Sequence, residues 1–171
     1  MMVSYGVNTL ISDSGVMKYR IISERWDVNE VKQPPHWYFP RGMFMEQFDE
    51  KFHAEAYIQS DTAYYYTTLK LWHLIGSVRV RTVDGVRFSS EELYWDQNRH
   101  ELYSNKYSHV ISPEREIEGN YFTSDEHMQH YTVTNTKGNF VRESEKKQAA
   151  PADNAAPVDT TPKRAPAQPR R

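Results

Sequence analysis

One strand motif occurs twice, thirty residues apart, and it constrains the fold more than any other feature. Ile58-Gln59-Ser60-Asp61-Thr62-Ala63-Tyr64-Tyr65-Tyr66 aligns with Phe88-Ser89-Ser90-Glu91-Glu92-Leu93-Tyr94-Trp95-Asp96. Trp72 then falls on Leu102, and Leu74 on Ser104. A weaker echo follows at Phe122-Thr123-Ser124-Asp125. A recurring strand-turn-strand unit stacks into an elongated all-β body. The working part of such a body is a long surface or groove.

The residues around the repeat keep strand period. Ile22, Glu24, Trp26 and Val28 alternate with Ile21, Ser23, Arg25 and Asp27. Pro34-Pro35 breaks the chain, and Pro40-Arg41-Gly42 turns it. Met43–Phe48, Ala54–Ser60 and Thr62–Tyr66 read as strands. In the run Leu71–Thr82, residues Trp72, Leu74, Gly76, Val78 and Val80 share one face, while Ser77, Arg79 and Arg81 line the other. One side therefore faces something apolar and the other faces water. Asp84-Gly85 signals a hairpin. Val86–Phe88, Leu93–Trp95, a strand from Leu102, Ser108–Ile111, Glu116–Thr123 and Tyr131–Asn135 follow. About twelve short strands with frequent turns predict a sandwich, jelly roll or barrel. The one helical candidate is a single turn near Asp125 to Gln129.

Composition divides the chain at Val141. All 23 aromatic residues and all seven glycines precede it, whereas residues 142–171 hold five of the nine prolines. The sequence predicts a folded domain over 1–141 and a disordered Pro/Ala-rich tail over 142–171. Seven Lys/Arg against four Asp/Glu leave the tail at net +3 and the body at −5, so neither carries a nucleic-acid footprint. The tail's Lys163-Arg164 and Arg170-Arg171 read as solvated. With no cysteine there is no disulfide framework and no zinc-thiolate site. No run of 18 apolar residues is present, and the start of the chain lacks a signal-peptide pattern.

Four stretches resemble the LptC family of lipopolysaccharide-export periplasmic proteins, in its Bacteroidetes-type form, and its wider OstA-like relatives. Thr9-Leu10-Ile11-Ser12-Asp13-Ser14-Gly15 with Tyr19-Arg20-Ile21 is similar to the family's opening strand. Trp37-Tyr38-Phe39-Pro40-Arg41-Gly42-Met43 resembles its Y-F-P-x-G segment. Ala63 through Trp72-His73-Leu74-Ile75-Gly76-Ser77-Val78 resembles its core unit, and Glu92-Leu93-Tyr94-Trp95-Asp96 with Leu102-Tyr103-Ser104 the next one. The resemblance spans about Thr9 to Val141. It implies a twisted open β-jellyroll whose apolar trough holds the acyl chains of lipopolysaccharide. It also implies a non-enzymatic carrier without cofactor or metal. Such a carrier receives lipid from an inner-membrane ABC transporter and passes it, edge strand to edge strand, to a periplasmic bridge protein. The family's place is the periplasm, anchored to the inner membrane by an N-terminal helix that this chain lacks.

On that reading the trough is lined by Ile58, Ala63, Trp72, Leu74, Val78, Val80, Phe88, Leu93 and Leu102. An alternating apolar stripe is otherwise the inner face of an ordinary sandwich, so the resemblance alone gives these residues a lipid. Gly76 and Gly119 either form bulges or admit a close approach of lipid or backbone. Other readings are weaker. His127 and His130 lack a third metal ligand in spacing. Tyr64-Tyr65-Tyr66 could form a sugar platform, but only alternate rings share a face. Asp61, Glu91, Glu92, Asp96 and Asp125 could supply a glycosidase pair, but Asp61, Glu91 and Asp125 recur at equivalent repeat positions after a serine, which fits a turn or cap device better. The rivals are a soluble end-to-end bridge protein of the same superfamily, a carbohydrate-binding β-sandwich and a plain structural repeat protein. No Gly-rich phosphate loop is present.

Overall fold

The computed structural model describes residues 1–13, 16–135 and 142–144. They form strands and turns, with no helix among the described residues. β1 (Met2–Asp13) and β2 (Val16–Asn29) make a long hairpin. β3 (His36–Phe39), β4 (Met43–Phe48), β5 (Ala54–Ser60) and β6 (Thr62–Tyr66) follow. The long β7 (Leu71–Thr82) and β8 (Arg87–Asp96) come next. The remaining strands are β9 (Glu101–Ser104), β10 (Ser108–Ile111), β11 (Glu116–Gly119), β12 (Tyr121–Asp125), β13 (Tyr131–Thr134) and β14 (Arg142–Ser144). All fourteen belong to one antiparallel sheet, so the all-β class expected from the repeat is the class observed.

The register shows that the short strands are halves of longer, bent rungs. β3 and β4 both pair with β2, β5 and β6 both pair with β7, and β9 and β10 both pair with β8. Each rung pairs with the rung before and after it, so the connectivity is a meander. The bends stack into a crease that divides the sheet into two halves. Half I holds β3, β6, β9, β12, β13, residues 27–29 of β2 and the adjoining segments Leu71–Ile75 and Glu92–Asp96. Half II holds β4, β5, β10, β11, β14, residues 19–22 of β2 and the segments Val78–Thr82 and Arg87–Ser90.

The crease has a chemical signature. It passes through Ser23, Gly42, Ser60-Asp61, Gly76-Ser77, Ser90-Glu91, Ser104–Ser108 and Gly119-Asn120. Gly42, Gly76 and Ser77 have φ of 89°, 81° and 45°, and the β7–β8 register shifts between Ile75 and Val78. A bend of this kind is a bulge, and it orphans carbonyls that the ladder would otherwise satisfy. Serine hydroxyls cap them: Ser23 donates to Gly42 O at 2.7 Å, Ser90 to Tyr107 O at 2.8 Å, and Ser108 to Lys106 O at 3.0 Å.

The thirty-residue period is therefore two rungs, one out and one back. Ile58, Phe88 and Ile117 precede the crease in half II, and Ala63, Leu93 and Phe122 follow it in half I. The third unit is real but starts earlier than its echo in sequence. Gly119-Asn120 stands where Ser60-Asp61 and Ser90-Glu91 stand, and Phe122–Asp125 lies beyond the bend.

Three further expectations differ in detail. Val86–Phe88 and Leu93–Trp95 are not separate strands; both fall on β8 or at its start, because a bend with bulged pairing need not end a strand. Glu116–Thr123 is broken at Asn120 by the crease. Asp125 to Gln129 is a turn rather than a helical one, with Met128 at φ 53°. β14 pairs with β11 just past the boundary drawn at 141; the rest of 142–171 lies outside the described residues.

Candidate functional site

The inner faces of the two halves meet in one apolar cluster. Phe88 of half II touches Phe122 of half I at 4.5 Å between centroids near the crease. Farther from it, Tyr19 of half II meets Trp72 and Trp95 of half I edge-on at 6.2 and 5.9 Å. All nine trough candidates lie on these inner faces. Ile58, Val78, Val80 and Phe88 come from half II, and Ala63, Trp72, Leu74, Leu93 and Leu102 from half I. None is more than 3% exposed. Trp72 is central, stacked near Phe39 at 5.8 Å and tilted against Tyr65 at 4.7 Å. Its indole N–H is buried and meets no acceptor among the described residues. Leaving such a donor unpaired costs roughly 1–3 kcal/mol.

Away from the crease the halves part. The turns on that side join two strands of the same half: β4–β5, β7–β8 and β10–β11 within half II, and β2–β3, β6–β7, β8–β9 and β12–β13 within half I. Between the β4–β5 turn of half II and the β6–β7, β8–β9 and β12–β13 turns of half I lies a cleft of about 1090 Å³. Tyr19, Tyr65 and Trp95 form its floor, so the cleft is continuous with the apolar interior. The floor's polar atoms are tied to the rim. Tyr65 donates its hydroxyl to Gln97 Oε1 at 2.9 Å, and Trp95 Nε1 donates to Glu126 Oε1 at 3.0 Å. Glu126 also holds His100 at 3.0 Å. His127 of half I reaches Glu55 of half II at 3.3 Å, a link across the opening. The rim carboxylates Glu55 and Glu126 are thus engaged, and Asp49 accepts from the backbone N–H groups of Lys51 and His53. Those bonds hold its carboxyl below the usual range, with the His53 N–H the largest cause.

The glycines serve the crease. A Cβ on Gly76 would lie 2.8 Å from Asp61 Oδ2, and one on Gly119 only 2.5 Å from Thr134 O. The space over Gly76 belongs to Asp61, and that over Gly119 to a neighbouring backbone. The acidic residues of the repeat sit at the crease and the turns, where Glu91 and Asp125 accept from backbone N–H groups through their carboxylates and Asp61 bonds through its backbone. Asp61 N–H donates to Gly76 O at 2.9 Å, Glu91 Oε2 accepts from Ser77 N at 3.2 Å, and Asp125 Oδ1 accepts from Gln129 N and His130 N. Among the described residues no group of three or more His, Asp or Glu could hold a metal.

The outer face of half I carries a row of rings. Tyr38 stacks on Tyr64 at 4.6 Å, His73 on Tyr94 at 4.2 Å, and Tyr94 on Tyr103 at 4.9 Å. Interplanar angles of 17°, 8° and 11° mean that the rings face one another. A sugar platform needs those faces free. Burial in the row pushes the Tyr64, Tyr94 and Tyr103 hydroxyls above the usual phenol range.

Tyr19, Tyr65 and Trp95 escaped sequence reasoning as floor residues. Tyr65 and Trp95 fall out of phase with Ile58 and Phe88, because the inward parity slips by one at each outgoing crease. The offset between Ser60 and Ala63, repeated at Ser90 and Leu93, was the available signal. No protein-family model matches this sequence, and no curated protein is significantly similar to it.

Proposed function

We propose that this protein is a non-enzymatic lipopolysaccharide carrier, of the kind that takes lipid from an inner-membrane ABC transporter and passes it along a periplasmic bridge. One observation carries the reading. The two halves share an apolar interior, are joined through the crease, and open at the turn ends into a cleft floored by that interior. A lipid chain needs such a continuous apolar surface: each buried CH₂ contributes about 0.8 kcal/mol, so a chain of about a dozen carbons gains on the order of 10 kcal/mol. A sheet that hinges at a crease can admit chains without breaking its own ladder. The buried Trp72 N–H would meet the ester or amide carbonyl at the head of an acyl chain. β1 supports the proposed contact with a bridge protein, since it pairs only with β2 and leaves twelve residues of open edge among the described residues. Such a carrier acts in the periplasm, with the driving energy supplied by the transporter.

The test is photocrosslinking to lipopolysaccharide, with the probe placed in turn at Trp72, Val78, Trp95 and Arg79. Adducts at the three inner positions and none at Arg79, on the outer face, support the carrier reading. Equal or absent labelling at all four marks a sealed sandwich and removes it.

A further inference from the structure

The outer face of half II differs from the rest of the surface. Arg79 and Arg81 project from it on β7, and Arg87 on β8 lies directly opposite Arg81 in the ladder. All three are exposed. They border a groove of about 530 Å³ whose other walls include Phe44, Tyr57 and Ile111. Like charges in directly opposed positions destabilise an antiparallel pair. The usual remedy is an interleaved carboxylate, and among the described residues none of the three arginines makes an ion pair. The acidic residues of the neighbouring strands are set apart from them. Glu46 pairs in register with Tyr57, one strand beyond Arg81, and Glu116 pairs with Ile111, one strand beyond Arg87, where it engages His109. Arg81 is positioned over the Tyr57 ring, 5.1 Å from its centroid. Gln59 and Ser89 flank Arg79 in register and add neutral hydrogen-bonding groups.

We propose that this groove is an anion site that binds a phosphomonoester. Three arginines on two adjacent strands suit a doubly charged phosphate, because each guanidinium fork can bond two oxygens and a dianion offsets the repulsion between Arg81 and Arg87. The apolar walls formed by Phe44 and Ile111 accommodate the body that carries the phosphate. The site lies on the face opposite the lipid interior and stands or falls independently of the carrier reading.

The experiment is calorimetric titration of the full chain with phenyl phosphate as probe, in about 0.1 M salt, alongside Arg87→Gln and Arg81→Gln/Arg87→Gln. The expected result is saturable one-site binding by the wild type. The single variant should weaken it about tenfold and the double variant should abolish it, with thermal midpoints unchanged or slightly raised as like charges are removed. Arg87→Lys should bind less tightly than wild type because it keeps the charge and loses the fork. Absence of binding by the wild type, or equal affinity in the double variant, overturns the proposal. Cosedimentation with phosphatidylcholine vesicles doped with phosphatidic acid or with phosphatidylglycerol identifies the source. Arginine-dependent preference for phosphatidic acid assigns a lipid headgroup, and phenyl phosphate binding without vesicle binding assigns a soluble ligand; both sustain the site. Equal capture by the two lipids shows generic attraction to negative charge and overturns it.

Discussion

The two halves of the sheet are built from the same bent rungs, yet they bury and display different chemistry. Half I is aromatic on both sides: Phe39, Tyr65, Trp72, Trp95 and Phe122 inside, Tyr38, Tyr64, His73, Tyr94 and Tyr103 outside. Half II is lined within mainly by aliphatic and thioether side chains, including Met43, Met45, Ile58, Val78, Val80, Val110 and Ile117, and bears arginines without. A residue's role therefore depends on which side of the crease it occupies as much as on which strand it belongs to. The rings of half I make a stiff wall, since aromatic contacts have preferred geometry. The flexible Met43 and Met45 of half II adapt more readily to what packs on them.

The contrast can be broken in order of expected effect. Trp72→Ala should cost about 3–5 kcal/mol, whereas Ile58→Val in the opposite wall should cost about 0.5–1.5; chemical denaturation measures both, and equal losses would erase the distinction. Gly119→Ala should cost about 1–3 kcal/mol, because the Thr134 backbone leaves no room for the added methyl. At the crease, Ser90→Ala removes the donor to Tyr107 O and should cost about 1–3 kcal/mol. Ser60→Ala removes a buried hydroxyl that has no partner among the described residues and should be neutral or stabilising in the same assay.

Two smaller effects are read by pH. The Tyr64, Tyr94 and Tyr103 hydroxyls are raised by burial, so their contribution to stability is complete below the ordinary phenol value of about 10 and is lost as pH rises through their folded values. Absorbance titration should show a late-ionising set that Tyr94→Phe reduces. Asp49 has the opposite sign. Its folded value is lowered, so its contribution is present above the ordinary carboxylate range and disappears as pH falls through that lowered value. Amide exchange at Lys51 and His53 should quicken there, and an unchanged rate would remove Asp49 from the turn.

Much of this fold was written in local pattern. Met43–Phe48, Ala54–Ser60, Thr62–Tyr66, Leu71–Thr82 and Ser108–Ile111 have the strand bounds that period and turn chemistry predicted. The inward face of β7 was also legible, because two residues, Gly76 and Ser77, are spent on its bend and the even positions stay inside. The outgoing rungs were harder. At Ser60 and Ser90 the inward parity slips, so Tyr65 and Trp95 look outward to any rule of strict alternation. The crease itself is a property of stacked neighbours: Ser23 is an ordinary strand serine until Gly42 is laid beside it. The arginine face was visible as a polar stripe on β7, but its concentration needed the register that sets Arg87 against Arg81.

The repeat also fixes a unit of length. Two rungs occupy about 9.5 Å across the ladder, and they consume thirty residues, the spacing from Ile58 to Phe88. Because the turns at the open end stay within one half, a duplicated or deleted unit would change how long the interior is while leaving its cross-section alone. The chain is thus a ruler with a fixed graduation, and variants made by whole units should differ in span by steps of that size.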